Sequence, residues 1–220
     1  MFFHSASAII MAYAFHCLEG LPIDDAISSQ YGGHFQFLTI HGLLLAWITM
    51  VSGSILDLFP SVPFLKGAKR LFSMLSMPLS ITISSIYWTL MAVFPALLLP
   101  PTNVPPLDAS PAGHEEVPLL RIPLSIDLGL HAVPAIVLLV DFFAFETKYS
   151  RKAVMVESWI LAGIYASFYA SWAEFCATHN DGIYPYPFLT VSPLWGRVLI
   201  YIGATTISLS SFRFLNYLHS

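Results

Sequence analysis

Stretches of about 20 residues with almost no charge recur from one end of the chain to the other, parted by short gaps. This pattern limits the possible folds more than any motif does. A helix needs about 20 apolar residues to cross the roughly 30 Å hydrocarbon layer of a bilayer. When prolines and charge clusters mark the ends, six windows emerge: Phe3 to Leu18, His34 to Leu56, Leu71 to Leu99, Ser125 to Phe145, Ala153 to Thr178 and Gly196 to Leu218. The first is short, and the third is long with Pro78 and Pro95 inside it, so tilt or kinks are expected. With 56% hydrophobic and 10% charged residues the chain has too little polar surface to cover a soluble globule. The expectation is an all-α, polytopic membrane protein with six transmembrane helices in a single membrane domain, residues 1–220, without internal repeats.

The opening stretch "MFFHSASAIIMAYAFHCLEG" has the apolar run of a signal peptide but no basic start, so it reads as a retained first span, with a cleaved signal as the alternative. Placing the N-terminus in the cytoplasm puts Lys66, Lys69, Arg70, Lys148, Arg151, Lys152 and Arg213 on that side. Only Arg121 and Arg197 then fall on the other. Both termini are therefore expected to be cytoplasmic, in a multi-pass protein of the endoplasmic reticulum or another cellular membrane. The net charge of −4 is scattered and no basic run offers a nucleic-acid footprint, leaving membrane lipids as the surroundings. Cys17 and Cys176 lie in apolar windows, as buried thiols do. Oligomeric state has no signature in the sequence.

Polar groups inside such windows are costly and become candidates for function. In "FQFLTIHGLLLAWITM" a threonine, Thr39, sits two residues before His41, about 200° around a helix, so the two cannot face one pocket. A partner for Thr39 has to come from another helix. With both termini cytoplasmic, the second and fourth spans descend from the same side. Thr39 and His131, about five and six residues in, then share a layer roughly 8 to 9 Å deep. Asp127, four residues before His131, can share its helix face and hold one ring nitrogen. Each has an ordinary alternative: a membrane threonine commonly bonds back to its own helix, and a neutral histidine can be satisfied by a neighbour.

His16, His34, His179 and Glu174 gather toward the same end, which keeps open a haem- or metal-binding oxidoreductase, although none has a recognised ligand spacing. The loop "LPPTNVPPLDASPAGHEEVPLLRIP", with His114, Glu115 and Glu116, reads as a solvated connector. "NDGIYPYPFLTVSPLWGR", with Tyr184, Tyr186, Phe188 and Trp195, has the amphipathic character of an interfacial cap. Asp57, Asp141 and Glu157 lie toward the cytoplasmic ends, where pairing with Lys or Arg anchors helices.

Taken in order, "FLTIHGLLL", "SMPLSITISSIYWTLM", "DLGLHAVPAIVLLVDFF", "DGIYPYPFLTVSPLWGRV" and "IGATTISL" resemble the androgen-induced protein (ADTRP) family from the second span to the sixth. The resemblance implies an intramembrane hydrolase of six helices that cleaves fatty acid esters of hydroxy fatty acids with a threonine and a histidine. By motif these are Thr39 and His131. The chain departs from its relatives in carrying Asp127 where they commonly have Asn, and Ala132 where they have Thr. On this view Thr39 is a nucleophile activated by His131, which Asp127 orients, while Tyr184 or Tyr186 could support the oxyanion. The partner is a lipid ester reached laterally through the membrane, with no metal and no cofactor. A non-catalytic transporter or scaffold is the third class of function.

Overall fold

The computed structural model describes residues 2–99 and 119–219, and the part of the Pro-rich loop that holds His114, Glu115 and Glu116 lies outside them. Helices dominate the described residues: α1 (Phe2–His16), α2 (Pro22–Ser28), α3 (Leu38–Leu58), α4 (Pro63–Val93), α5 (Leu124–His131), α6 (Val133–Ala144), α7 (Ser158–His179), α8 (Pro187–Thr190) and α9 (Leu194–Leu218). Prolines set many of the boundaries. Pro63 opens α4 with its φ already helical, and Pro95 closes it by forcing Phe94 out of the helical region, at φ −139° and ψ 61°. Pro134 divides the expected fourth span. It has no N–H for the Leu130 carbonyl, so α5 ends at His131 and α6 leaves at 40°.

Among the described residues four helical stretches are long and apolar enough to cross a bilayer: Leu38–Leu58, Pro63–Val93, Ala153–His179 and Leu194–Leu218; α5 and α6 together make a fifth. The expected sixth, α1, has 15 residues and so extends about 22 Å, short of a full crossing. Side-chain contacts nevertheless set α1, α3, α4 and α6 in up-and-down order by tying alternate helix ends together. At one end the His4 ring of α1 bonds Asp57 of α3 at 2.7 Å and Asp141 of α6 at 2.8 Å, and Lys69 of α4 reaches Asp141 at 2.8 Å. This is the end that holds the basic residues. The expected third span starts earlier than its apolar window, at Pro63, so that Lys69 and Arg70 sit on its first turns.

Met11, Met50, Met77, Leu138 and Phe142, each fully buried, form the core where α1, α3, α4 and α6 meet. Glycine lets two of these contacts close: a Cβ on Gly129 would come within 2.6 Å of Ala14, and one on Gly53 within 2.7 Å of the His4 ring. In contrast α7 and α9 turn much of their apolar surface outward, with Ile160, Ile164, Leu199, Ile202 and Phe214 exposed. In water that surface would be unfavourable; in a bilayer it meets acyl chains of like polarity.

Candidate active site

Thr39 is the second residue of α3, one of the four positions at a helix start whose N–H has no partner within the helix. The chain enters through left-handed Gly32 and Gly33 and an extended Phe37, which aims this first turn into the bundle at the end opposite the basic residues. His131 is the last residue of α5, held at that position by the break before Pro134. Thr39 Oγ1 lies 3.3 Å from His131 Nε2. Both side chains are buried, as is Asp127, whose Oδ1 lies 2.7 Å from His131 Nδ1. The carboxylate accepts from Nδ1–H, which leaves Nε2 as the acceptor for the threonine hydroxyl.

Tyr186 completes the group from the segment before α8. Its Oη accepts from the Thr39 backbone N–H at 3.3 Å and stands 3.4 Å from Thr39 Oγ1. Burial pushes the Tyr186 hydroxyl above its ordinary pKa, with the Thr39 side chain opposing, so the phenol keeps a proton to donate. Two helix ends converge here as well. The N-terminus of α3, positive in its dipole, meets Thr39, and the C-terminus of α5, negative, carries His131. Negative charge is thus favoured beside Thr39 and positive charge on His131. These are the charges that develop when a hydroxyl hands its proton to an imidazole and attacks a carbonyl.

Thr39, His131 and Tyr186 open onto a cavity of about 430 Å3, with Asp127 behind the histidine, and the cavity is lined chiefly by apolar groups such as Ile27, Phe37, Ile40, Leu98, Leu99 and Leu130. Tyr184 also lines it but does not support Thr39. Its hydroxyl donates to Glu174 at 2.6 Å, and Arg197 holds the same carboxylate at 2.7 and 2.9 Å with its guanidinium 4.4 Å above the Tyr184 ring. Burial first and Glu174 second push the Tyr184 hydroxyl up to about 12. Tyr184 therefore braces the cap, and Tyr186 alone of the two reaches the threonine.

The remaining histidines have separate partners. His41 faces away from Thr39, bonded to Tyr165 at 3.1 Å and to the Phe35 carbonyl at 2.8 Å. His34 bonds Asp24 at 2.6 Å, His16 lies 3.2 Å from Glu19, and His179 stacks on Tyr31. Glu174 belongs to Arg197 and Tyr184, so these side chains do not converge. Among the described residues no group of three or more His, Cys, Asp or Glu is placed to hold a metal ion.

One residue the sequence did not point to is Tyr87 of α4, whose ring lies flat on the His131 ring with centroids 3.4 Å apart. A signal was present. Tyr87 stands six residues before Val93, the end of its helix, and so shares the layer of Thr39 and His131.

A family model described as FAR-17a/AIG1-like protein matches residues 1–220. A UPF0641 membrane protein of Schizosaccharomyces pombe is 27% identical over 216 residues, covering 98% of this chain and 88% of the relative. A second UPF0641 membrane protein, from Saccharomyces cerevisiae, is 24% identical over 189 residues, 81% of this chain and 74% of its own. No solved structure matches. With apolar helices exposed on its surface and the family pattern running its whole length, the chain is a multi-pass integral membrane protein that belongs to the FAR-17a/AIG1-like family.

Proposed function

We propose that this protein is an intramembrane hydrolase of lipid esters, fatty acid esters of hydroxy fatty acids foremost, with Thr39 as nucleophile and His131 as general base and acid. The observation that carries this reading is the buried Thr39–His131–Asp127 line, 3.3 and 2.7 Å, facing an apolar cavity. A threonine hydroxyl is a weak nucleophile and needs an adjacent base, and a base needs a third group to fix its orientation.

The reaction runs in two halves. Thr39 Oγ attacks the ester carbonyl carbon while its proton passes to His131 Nε2. The oxyanion so formed is stabilised by the Tyr186 O–H and by the positive end of α3. Collapse breaks the bond to the alcohol, whose oxygen takes the proton back from Nε2 and leaves as a hydroxy fatty acid. Water then attacks the acyl-threonine, gives one proton to His131, and the second collapse returns that proton to Thr39 Oγ and frees the fatty acid. An apolar cavity suits the long chains, and lateral access between helices delivers a substrate already dissolved in the bilayer.

The test is hydrolysis by the purified full-length protein in lipid nanodiscs. Thr39→Ala and His131→Ala are each expected to lose at least about a thousandfold in kcat, as removal of a nucleophile or its base does. Thr39→Ser is expected to remain active. Undiminished hydrolysis in both alanine variants would refute the assignment.

A further inference from the structure

The mechanism above makes no use of Tyr87, yet this residue stacks directly on the His131 ring. Its ring is buried, and the two planes lie 4° from parallel with centroids 3.4 Å apart. Two neutral, electron-rich rings avoid full face-to-face overlap and settle into offset or edge-on pairs. A cation over a tyrosine face is attracted instead. The overlap therefore suits an imidazolium better than an imidazole, and the imidazolium exists only between proton removal from Thr39 and proton return.

Other surroundings of His131 agree in sign. Asp127 of the same helix accepts from Nδ1, and the negative end of α5 lies beneath the ring. From α3 the group facing it is the neutral Thr39, with Tyr186 behind; α1, packed on α5, presents Ala14 at Gly129. Arg121 is near enough for its charge to act on Tyr87, and the Tyr87 hydroxyl engages the Asp127 carboxylate. Tyr87 thus touches both members of the dyad, one with its face and one with its hydroxyl.

We propose that Tyr87 is a positioning residue that lowers the barrier by holding His131 under its ring face, where the charge that develops on the ring during the reaction is stabilised, while its hydroxyl steadies Asp127. The proposal rests on the reading of His131 as the base for Thr39. Its effect falls on the chemical step, since the interaction strengthens only as charge develops.

The experiment keeps the shape of the side chain and drains charge from its face. Tyr87→Phe, followed by mono-, di- and trifluorinated phenylalanine at the same position, is compared with wild type in ester hydrolysis across pH. Tyr87→Phe is expected to stay within about fivefold of wild type, losing only the hydroxyl contact. Along the fluorinated series kcat is expected to fall stepwise, by about tenfold in total, with KM unchanged. A flat series in a protein that hydrolyses ester and is silenced by Thr39→Ala overturns the role of Tyr87 and leaves the hydrolase reading intact. Hydrolysis that survives Thr39→Ala overturns both.

Discussion

Tyr186 gives the sharpest single-residue test of how the oxyanion is stabilised. Its hydroxyl stands 3.4 Å from Thr39 Oγ1 and is held by the Thr39 N–H, so its own proton is available to a developing oxyanion. Tyr186→Phe keeps the ring contacts with Phe37 and Phe188 and removes one donor. We expect kcat to fall about a hundredfold with KM nearly unchanged, in steady-state hydrolysis. At this scale the sequence already put Thr39, His131 and Asp127 within reach of one another, because span depth and the four-residue spacing are properties of one helix at a time. It could not choose between Tyr184 and Tyr186. That choice depends on Glu174 and Arg197 drawing Tyr184 into a separate pair, and the contact spans two helices.

Among the elements, α2 is the least anchored, a seven-residue helix with no buried residue, lying over the cavity through Ile23 and Ile27. Asp24 ties it down by accepting from His34 at 2.6 Å and from the Gly20 N–H at 3.2 Å. The His34 side chain first, and Gly20 second, hold the Asp24 carboxyl below the usual carboxylate range. A carboxyl lowered by folding contributes fully above its unfolded value and loses its contribution as pH falls through the folded one. Amide exchange in residues 21–31 should therefore quicken only in acid below the ordinary carboxylate value. Asp24→Asn should bring the same quickening at neutral pH, measured by deuterium uptake. The break between α5 and α6 was the element-scale feature the apolar pattern concealed. Ser125 to Phe145 reads as one continuous window, and only Pro134 and the Leu130 carbonyl it leaves without a helical donor end α5 at the histidine.

Across the whole molecule, the end opposite the site is fastened by charge. Lys69 joins Asp141 and Glu146 at 2.8 Å each, Arg70 joins Glu146 at 2.9 Å, and His4 spans Asp57 and Asp141 through its two ring nitrogens. Removing one partner from a buried set of this kind costs about 3–5 kcal/mol, because the others keep their burial without their counter-charge. Lys69→Met should consequently lower the thermal stability and the yield of monodisperse protein in detergent size exclusion. The all-α, multi-pass architecture was legible in the apolar windows. The number of full-length spans was not: the sequence suggests six, whereas α1, at 15 residues, is packed against neighbours and falls short of a full crossing.

The proposed mechanism requires that Thr39 become acylated with help from His131. Intact mass spectrometry after treatment with a lipid fluorophosphonate reads this directly, followed by peptide mapping. A single adduct on Thr39 is expected, absent in Thr39→Ala and strongly diminished in His131→Ala. An adduct on any other residue, or one that forms equally well in His131→Ala, would contradict it.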